Sequence, residues 1–335
     1  MRSSPIALLL PLLLSRLSPA QAPRATPAPE PVPVGVKGAA PPPRATAAVS
    51  VGYVLVPFVV ADTKGRPIRD LARRDVTLLC DGRPVATDIF ERSDNGPVSF
   101  AVLLDVSGSM GLGGKMEGAR AALRALVSRR VPGDDFALYA FAQGDVRELV
   151  SFTSDTAKVM RALAGIVPFG KTALYDAIAR MPDQSLLGKN GARAILLLTD
   201  GIDNASKLKE EDLTKILEGI DVPVYPLGLR GSEAVGTPPP GTTREALLDL
   251  DVLGHIARMS GGRLEIMTEP AQLEGAVRDI EGDLRTQYLL GFTPTGAGAV
   301  RYHRLALRLA GRPRVIRVRA GYRGTDPPFL GKNPR

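Results

Sequence analysis

Three short runs of this chain place oxygen-bearing side chains where a bound cation could use them. Asp105-Val106-Ser107-Gly108-Ser109 follows the apolar run 98–104, and Gly170-Lys171-Thr172 precedes a helical pattern that opens at Ala173. Thr199-Asp200-Gly201 follows the almost wholly apolar run 194–198. Singly, each has an ordinary explanation: Asp and Ser cap helices, Thr172 could cap the helix that follows it, and Asp-Gly is a frequent turn. Together, Asp105, Ser107, Ser109, Thr172 and Asp200 supply two carboxylates and three hydroxyls, hard ligands that suit magnesium, manganese or calcium. No lysine or histidine is evident in sequence as a partner to neutralise the carboxylates. Hydroxyls donate weakly, so such an ion stays electron-poor and an open coordination position favours an incoming carboxylate.

The inventory of softer ligands points the same way. Cys80 is the only cysteine, which leaves no internal disulfide and no cysteine-built zinc site. His255 and His303 are far apart in sequence, and each is expected to be an ordinary surface or half-buried residue.

These runs need a scaffold that brings them to one place. From residue 97 onward, strand-like and helix-like patterns alternate. Strands are expected at 98–104, 136–141, 146–152, 194–198, 222–229 and 263–267, and helices at 115–131, 156–166, 173–187, 208–219, 243–259 and 271–284. Alternation of this kind predicts an α/β fold with a doubly wound, mostly parallel sheet, whose ligands bind outside the carboxyl ends of the strands. All three runs would then converge on one sheet edge. Upstream, residues 48–96 read as a small β module in which Asp81-Gly82 marks a hairpin turn. Downstream, residues 291–325 read as a basic β-hairpin, turning at Gly311-Arg312-Pro313 with its arginines on the wet face.

The constellation resembles the metal-ion-dependent adhesion site of von Willebrand factor type A domains. Asp105-x-Ser107-x-Ser109, Thr172 in Gly-Lys-Thr-Ala-Leu-Tyr-Asp and Asp200 in Leu-Leu-Leu-Thr-Asp-Gly fill all five motif positions, and the likeness covers residues 97–290. Val60-Ala61-Asp62, Gly65-Arg66-Pro67-Ile68, Leu71, Asp75-Val76 and Asp81-Gly82 resemble the β module that precedes this domain in a group of secreted bacterial proteins. The resemblance implies a Rossmann-like fold and direct metal contacts from Ser107 and Ser109. It also implies contact from Thr172 in the ligand-ready state, with Asp105 and Asp200 acting through water or by holding the other ligands. It implies magnesium as the first choice of metal, manganese or calcium as alternatives, and a protein partner that offers Glu or Asp. Asp176 and Asp203 fall outside the motif and are expected to be solvated or to cap.

The ends of the chain set its expected location. Met1-Arg2, an apolar run at 6–14 and Ser18-Pro19-Ala20 read as a cleaved signal peptide over 1–20, hence a secreted or periplasmic protein. Residues 21–47 hold eight prolines and read as a disordered linker. No transmembrane segment is expected, and 326–335 reads as a tail. The net charge is +8, yet residues 301–335 alone contain ten Lys/Arg against one acid, which leaves the remainder near neutral. Binding of a polyanion or anionic surface through this segment is therefore an alternative, although nucleic acid is not an expected partner. A phosphatase-like hydrolase is a second alternative, but it would need an aspartate where Ser107 stands. The phosphate-loop spacing fails at Ser109 and Met116. No catalytic residue is assigned, and the expected function is metal-dependent adhesion or assembly.

Overall fold

The computed structural model describes residues 52–230, 244–268, 271–311 and 314–330. The expected signal peptide and linker lie outside the described residues, as do residues 231–243 and 331–335. The described residues open with β1 (Val54–Ala61), β2 (Val76–Cys80), β3 (Arg83–Pro84) and β4 (Ile89–Arg92). Asp81 and Gly82, at φ 50° and 78°, form the two-residue turn that pairs Cys80 with Arg83. Both residues tolerate this left-handed backbone, so the local sequence dictates the hairpin.

Alternation then begins. β5 (Val98–Asp105), α1 (Lys115–Ser128), β6 (Asp135–Ala142), β7 (Asp145–Thr153), α2 (Thr156–Ala164), α3 (Leu174–Ser185) and β8 (Ala192–Thr199) follow in turn. The series continues with α4 (Glu210–Leu217), β9 (Val224–Leu229), α5 (Arg244–Ser260), β10 (Glu265–Met267) and α6 (Ala271–Arg285). Six strands form one sheet in the order β10-β9-β8-β5-β6-β7, parallel throughout except for the β6–β7 pair. Every residue of β5 and β6 is buried, as a strand covered on both faces requires.

The two faces are filled separately. Val98, Phe100, Val102 and Leu104 meet side chains of α1, α2 and α6, whereas Ala101 and Leu103 meet α3, α4 and α5. Each fully buried Leu or Phe in these layers contributes roughly 1.5–3 kcal/mol. This is the doubly wound α/β sheet that the alternation predicts, with one antiparallel strand at its edge.

The chain then returns to its first strands through β11 (Tyr288–Phe292), β12 (Arg301–Leu309), β13 (Val315–Val318) and β14 (Gly321–Gly324). Two four-stranded antiparallel sheets result, β13-β1-β11-β4 and β14-β12-β2-β3. They share a core that includes Val56, Phe58, Leu78, Tyr288, Phe292 and Tyr322. The expected basic hairpin is therefore corrected. β12 pairs with β2 and β14, while β13 crosses to pair with β1, so the segments flanking Gly311 lie in different sheets. The edge of β1 captures the second strand.

The arginines are not all on a wet face either. Arg317 bonds Asp283 of α6, and Arg319, 6% exposed, donates Nη2 to the Leu55 carbonyl at 2.8 Å. No helix among the described residues is long and apolar enough to cross a membrane.

Candidate functional site

The site begins where β5 and β8 end. Asp105 is the last residue of β5 and wholly buried. Its Oδ1 accepts the Ser107 backbone N–H at 2.9 Å, and its Oδ2 accepts the Thr199 hydroxyl at 2.7 Å. Thr199 closes β8, so this bond ties the ends of two adjacent parallel strands and sets Asp200 beside them. Among the described residues no cation bonds Asp105. Burial pushes its carboxyl up to about 6, against the lowering effect of the Thr199 hydroxyl and of the Ser107 backbone and hydroxyl, and the charge of Asp200 pushes the same way as burial.

The hydroxyls stand on the loop that follows. Ser107 and Ser109 bring their Oγ atoms to 3.0 Å of each other, with Ser107 buried. The Gly108 N–H donates to the Gly170 carbonyl at 2.9 Å, which brings the Thr172 loop against the serine loop. A Cβ at Gly108 would stand 3.4 Å from that carbonyl, and one at Gly170 (φ 78°) would overlap the Gln143 side chain at 2.6 Å. Gly170 is thus required by its left-handed backbone and by Gln143, whereas a Cβ at Gly108 would make no more than a close contact.

Thr172 is buried, and its N–H donates to Asn204 Oδ1 at 2.9 Å. The start of α3 is capped from elsewhere: Asp203 and the Ser206 hydroxyl take the Tyr175 N–H. Thr172 therefore does not serve as the cap of α3 that its position suggested. Asp203 thus caps, as expected of it, whereas Asp176 is half-buried and accepts the N–H groups of Lys207 and Leu208 in a distant loop.

One expectation fails. Lys115 Nζ bonds Asp200 Oδ2 at 2.7 Å, and both side chains are largely buried. Asp200 thus has a lysine partner, 85 positions away in sequence. Lys115 opens α1, where the helix dipole disfavours a positive charge, so its placement is favourable only because the carboxylate is there. A cation at the first position of a helix was the signal that could have revealed the pair. Asp200 Oδ1 remains buried with no hydrogen-bond partner. A partnerless buried carboxylate oxygen and a buried carboxyl without a counter-ion are both costly. A hard cation would relieve both, and the surrounding donors are all oxygen, so the residues present fit a magnesium- or calcium-class ion.

A second cluster was not foreseen. One ligand atom from each of Cys80, Asp81 and His303 lies within 4.8 Å of the others. His303, wholly buried rather than half-exposed, places Nδ1 3.0 Å from Asp81 Oδ2 and stacks on Tyr322. Arg301 already sits 3.1 Å from the same oxygen, and burial pushes the Cys80 thiol up to about 12. The proton stays on the sulfur and Asp81 already has its donors, so the cluster acts as a pin between β2 and β12.

Residues 100–202 match the family model described as von Willebrand factor type A domain. A protein of Borreliella burgdorferi, described as uncharacterized, is 25% identical over 196 residues, which is 54% of this chain. The chain spans 57% of that relative's length. Among solved structures, a von Willebrand factor type A protein from Catenulispora acidiphila is similar with a TM-score of 0.46 at 17% identity, over 76% of this chain and 69% of that one. The corresponding domain of the type V pili tip protein Mfa5 from Porphyromonas gingivalis gives 0.40 at 13% identity, over 55% of this chain and 94% of that one. The family match falls on β5, α1, β6, β7, α2, α3 and β8, the elements that carry the three loops. Over residues 100–202, the elements that build the centre of the six-stranded doubly wound sheet, the chain is similar to von Willebrand factor type A domains.

Proposed function

We propose that this protein is a secreted or periplasmic binding module that grips a protein partner through a divalent cation, without catalysis of its own. The observation that carries this reading is the pair of under-neutralised buried carboxylates, Asp105 and Asp200, set among hydroxyls at the carboxyl edge of the sheet. Ser107, Ser109 and Thr172 would hold the ion directly. Asp105 fixes the Ser107 backbone and would act, with Asp200, through water or by orienting the other ligands. When bound, the ion supplies an electron-poor centre that accepts a carboxylate oxygen from Glu or Asp of the partner. Magnesium is the first candidate, with manganese and calcium as alternatives. The polyanion reading loses support, because Arg301, Arg317 and Arg323 are engaged with carboxylates and Arg319 with a backbone carbonyl.

The test is capture of partners from the extracellular or periplasmic milieu on three columns. Wild type with magnesium should retain proteins that wild type with chelator and Asp105→Ala with magnesium both lose. Equal retention on all three would refute a metal-mediated grip.

A further inference from the structure

The loops that hold the candidate ligands also present bare hydrocarbon. Leu112 is 67% exposed, Val167 75%, Phe169 50% and Ile202 40%. Each lies within five positions of a candidate ligand: Leu112 after Ser109, Val167 and Phe169 before Thr172, Ile202 after Asp200. Backbone contacts hold the loops against one another. The Phe169 N–H donates to the Val106 carbonyl at 2.7 Å, the Asn204 N–H donates to the Thr172 carbonyl at 3.0 Å, and a Cβ on Gly111 would touch Pro168 at 3.5 Å. Four large apolar side chains thus stand exposed on the three loops that carry the candidate ligands.

Exposed apolar residues scattered singly need no explanation, but a collar around a charged site does. Apolar groups that ring a polar contact exclude water from it, and an electrostatic contact strengthens as the local dielectric falls. The centre of this collar calls for an anion, and Lys171, exposed beside Thr172, adds a cation on its rim.

From this juxtaposition we infer that the partner is a protein segment whose acidic residue is flanked by aliphatic or aromatic side chains, which the collar of Leu112, Val167, Phe169 and Ile202 covers. This rests on the metal-dependent reading above and adds to it the chemistry on either side of the carboxylate. A bare carboxylate should bind weakly, and the apolar flanks should supply most of the affinity.

The inference is tested with carboxylates of graded apolar length as probes. Acetate, hexanoate and phenylpropionate are titrated into the full chain with magnesium, followed by NMR chemical shifts. Affinity should rise by about tenfold or more from acetate to the longer probes, on the scale set by burying methylene groups. Phe169→Ser and Leu112→Ser alter exposed positions, so the fold should be kept; they should erase this increase and leave acetate binding unchanged. Leu187→Ser, equally exposed at the far end of α3, is the control and should keep the increase. Acetate binding with no increase along the series, or an increase that survives in both collar variants, would overturn the collar and leave the metal reading intact. No magnesium-dependent binding of any probe would overturn the metal reading, and the collar inference with it.

Discussion

The two ends of the central sheet treat buried carboxylates in opposite ways. At the amino edge, Asp134 is saturated: Oδ1 accepts the Val98 N–H at 2.8 Å and Arg285 Nη1 at 3.2 Å. Its Oδ2 accepts the Val131 N–H at 2.8 Å and Arg285 Nη2 at 2.7 Å. Arg285 also reaches Glu281, which in turn bonds Arg129. This network ties α6 to the start of β5 and serves the fold. At the carboxyl edge, among the described residues, Asp105 has only neutral donors from Ser107 and Thr199, and Asp200 has Lys115 on one oxygen and no hydrogen-bond partner on the other. Asp134 is fully neutralised and the carboxyl-edge pair is not, and the proposed function rests on that difference.

The contrast can be broken from either end. The largest effect is expected at the saturated edge. Asp134→Ala strands the buried Arg285 guanidinium and should cost about 3–5 kcal/mol in denaturant unfolding. The rise in melting temperature produced by magnesium should be the same in this variant as in wild type. At the other edge the signs should reverse. Asp105→Asn removes an ill-compensated charge, so in chelator the variant should be as stable as wild type or more stable. It should also lose the metal-induced rise in melting temperature.

The doubly wound, mostly parallel sheet was legible because strand-like and helix-like patterns alternate, and because the run 194–198 is apolar enough to suit a central strand; the order of the strands was not. The candidate ligands were legible as three runs that such a sheet must deliver to one edge. What could not be seen depends on distance in sequence. The Lys115–Asp200 pair spans a strand, three helices and a hairpin. The Arg285–Asp134 pair requires knowing that α6 returns beside the loop before β6. The paths of β12 and β13 were hidden because Gly311-Arg312-Pro313 signals a reversal but not which strand edges are free on either side of it. Burial of Arg319 follows from that path, since alternation assigns a residue to a face without saying what covers the face.

Two smaller effects sharpen the comparison. Burial raises Asp105 from its ordinary value near 3.8 to about 6, so the folded chain holds that proton more tightly than the unfolded chain does. The resulting stabilisation is complete below about pH 4 and is lost as pH climbs through about 6, which unfolding of the metal-free protein across that range should show. For the same reason magnesium affinity should fall as pH drops below about 6, approaching tenfold per pH unit. Lys115→Met removes the cation that shares Asp200, and should tighten metal binding by several-fold to about tenfold by calorimetry. No change there would mean that Lys115 and the ion do not compete for the carboxylate.

The most direct test of the central claim is calorimetric titration of magnesium, repeated with manganese, into wild type and Asp105→Asn at neutral pH. Saturable binding of one ion per chain in wild type, and none in the variant, is the expected result. Absence of binding in wild type with both metals, or equal binding in both proteins, would contradict the account.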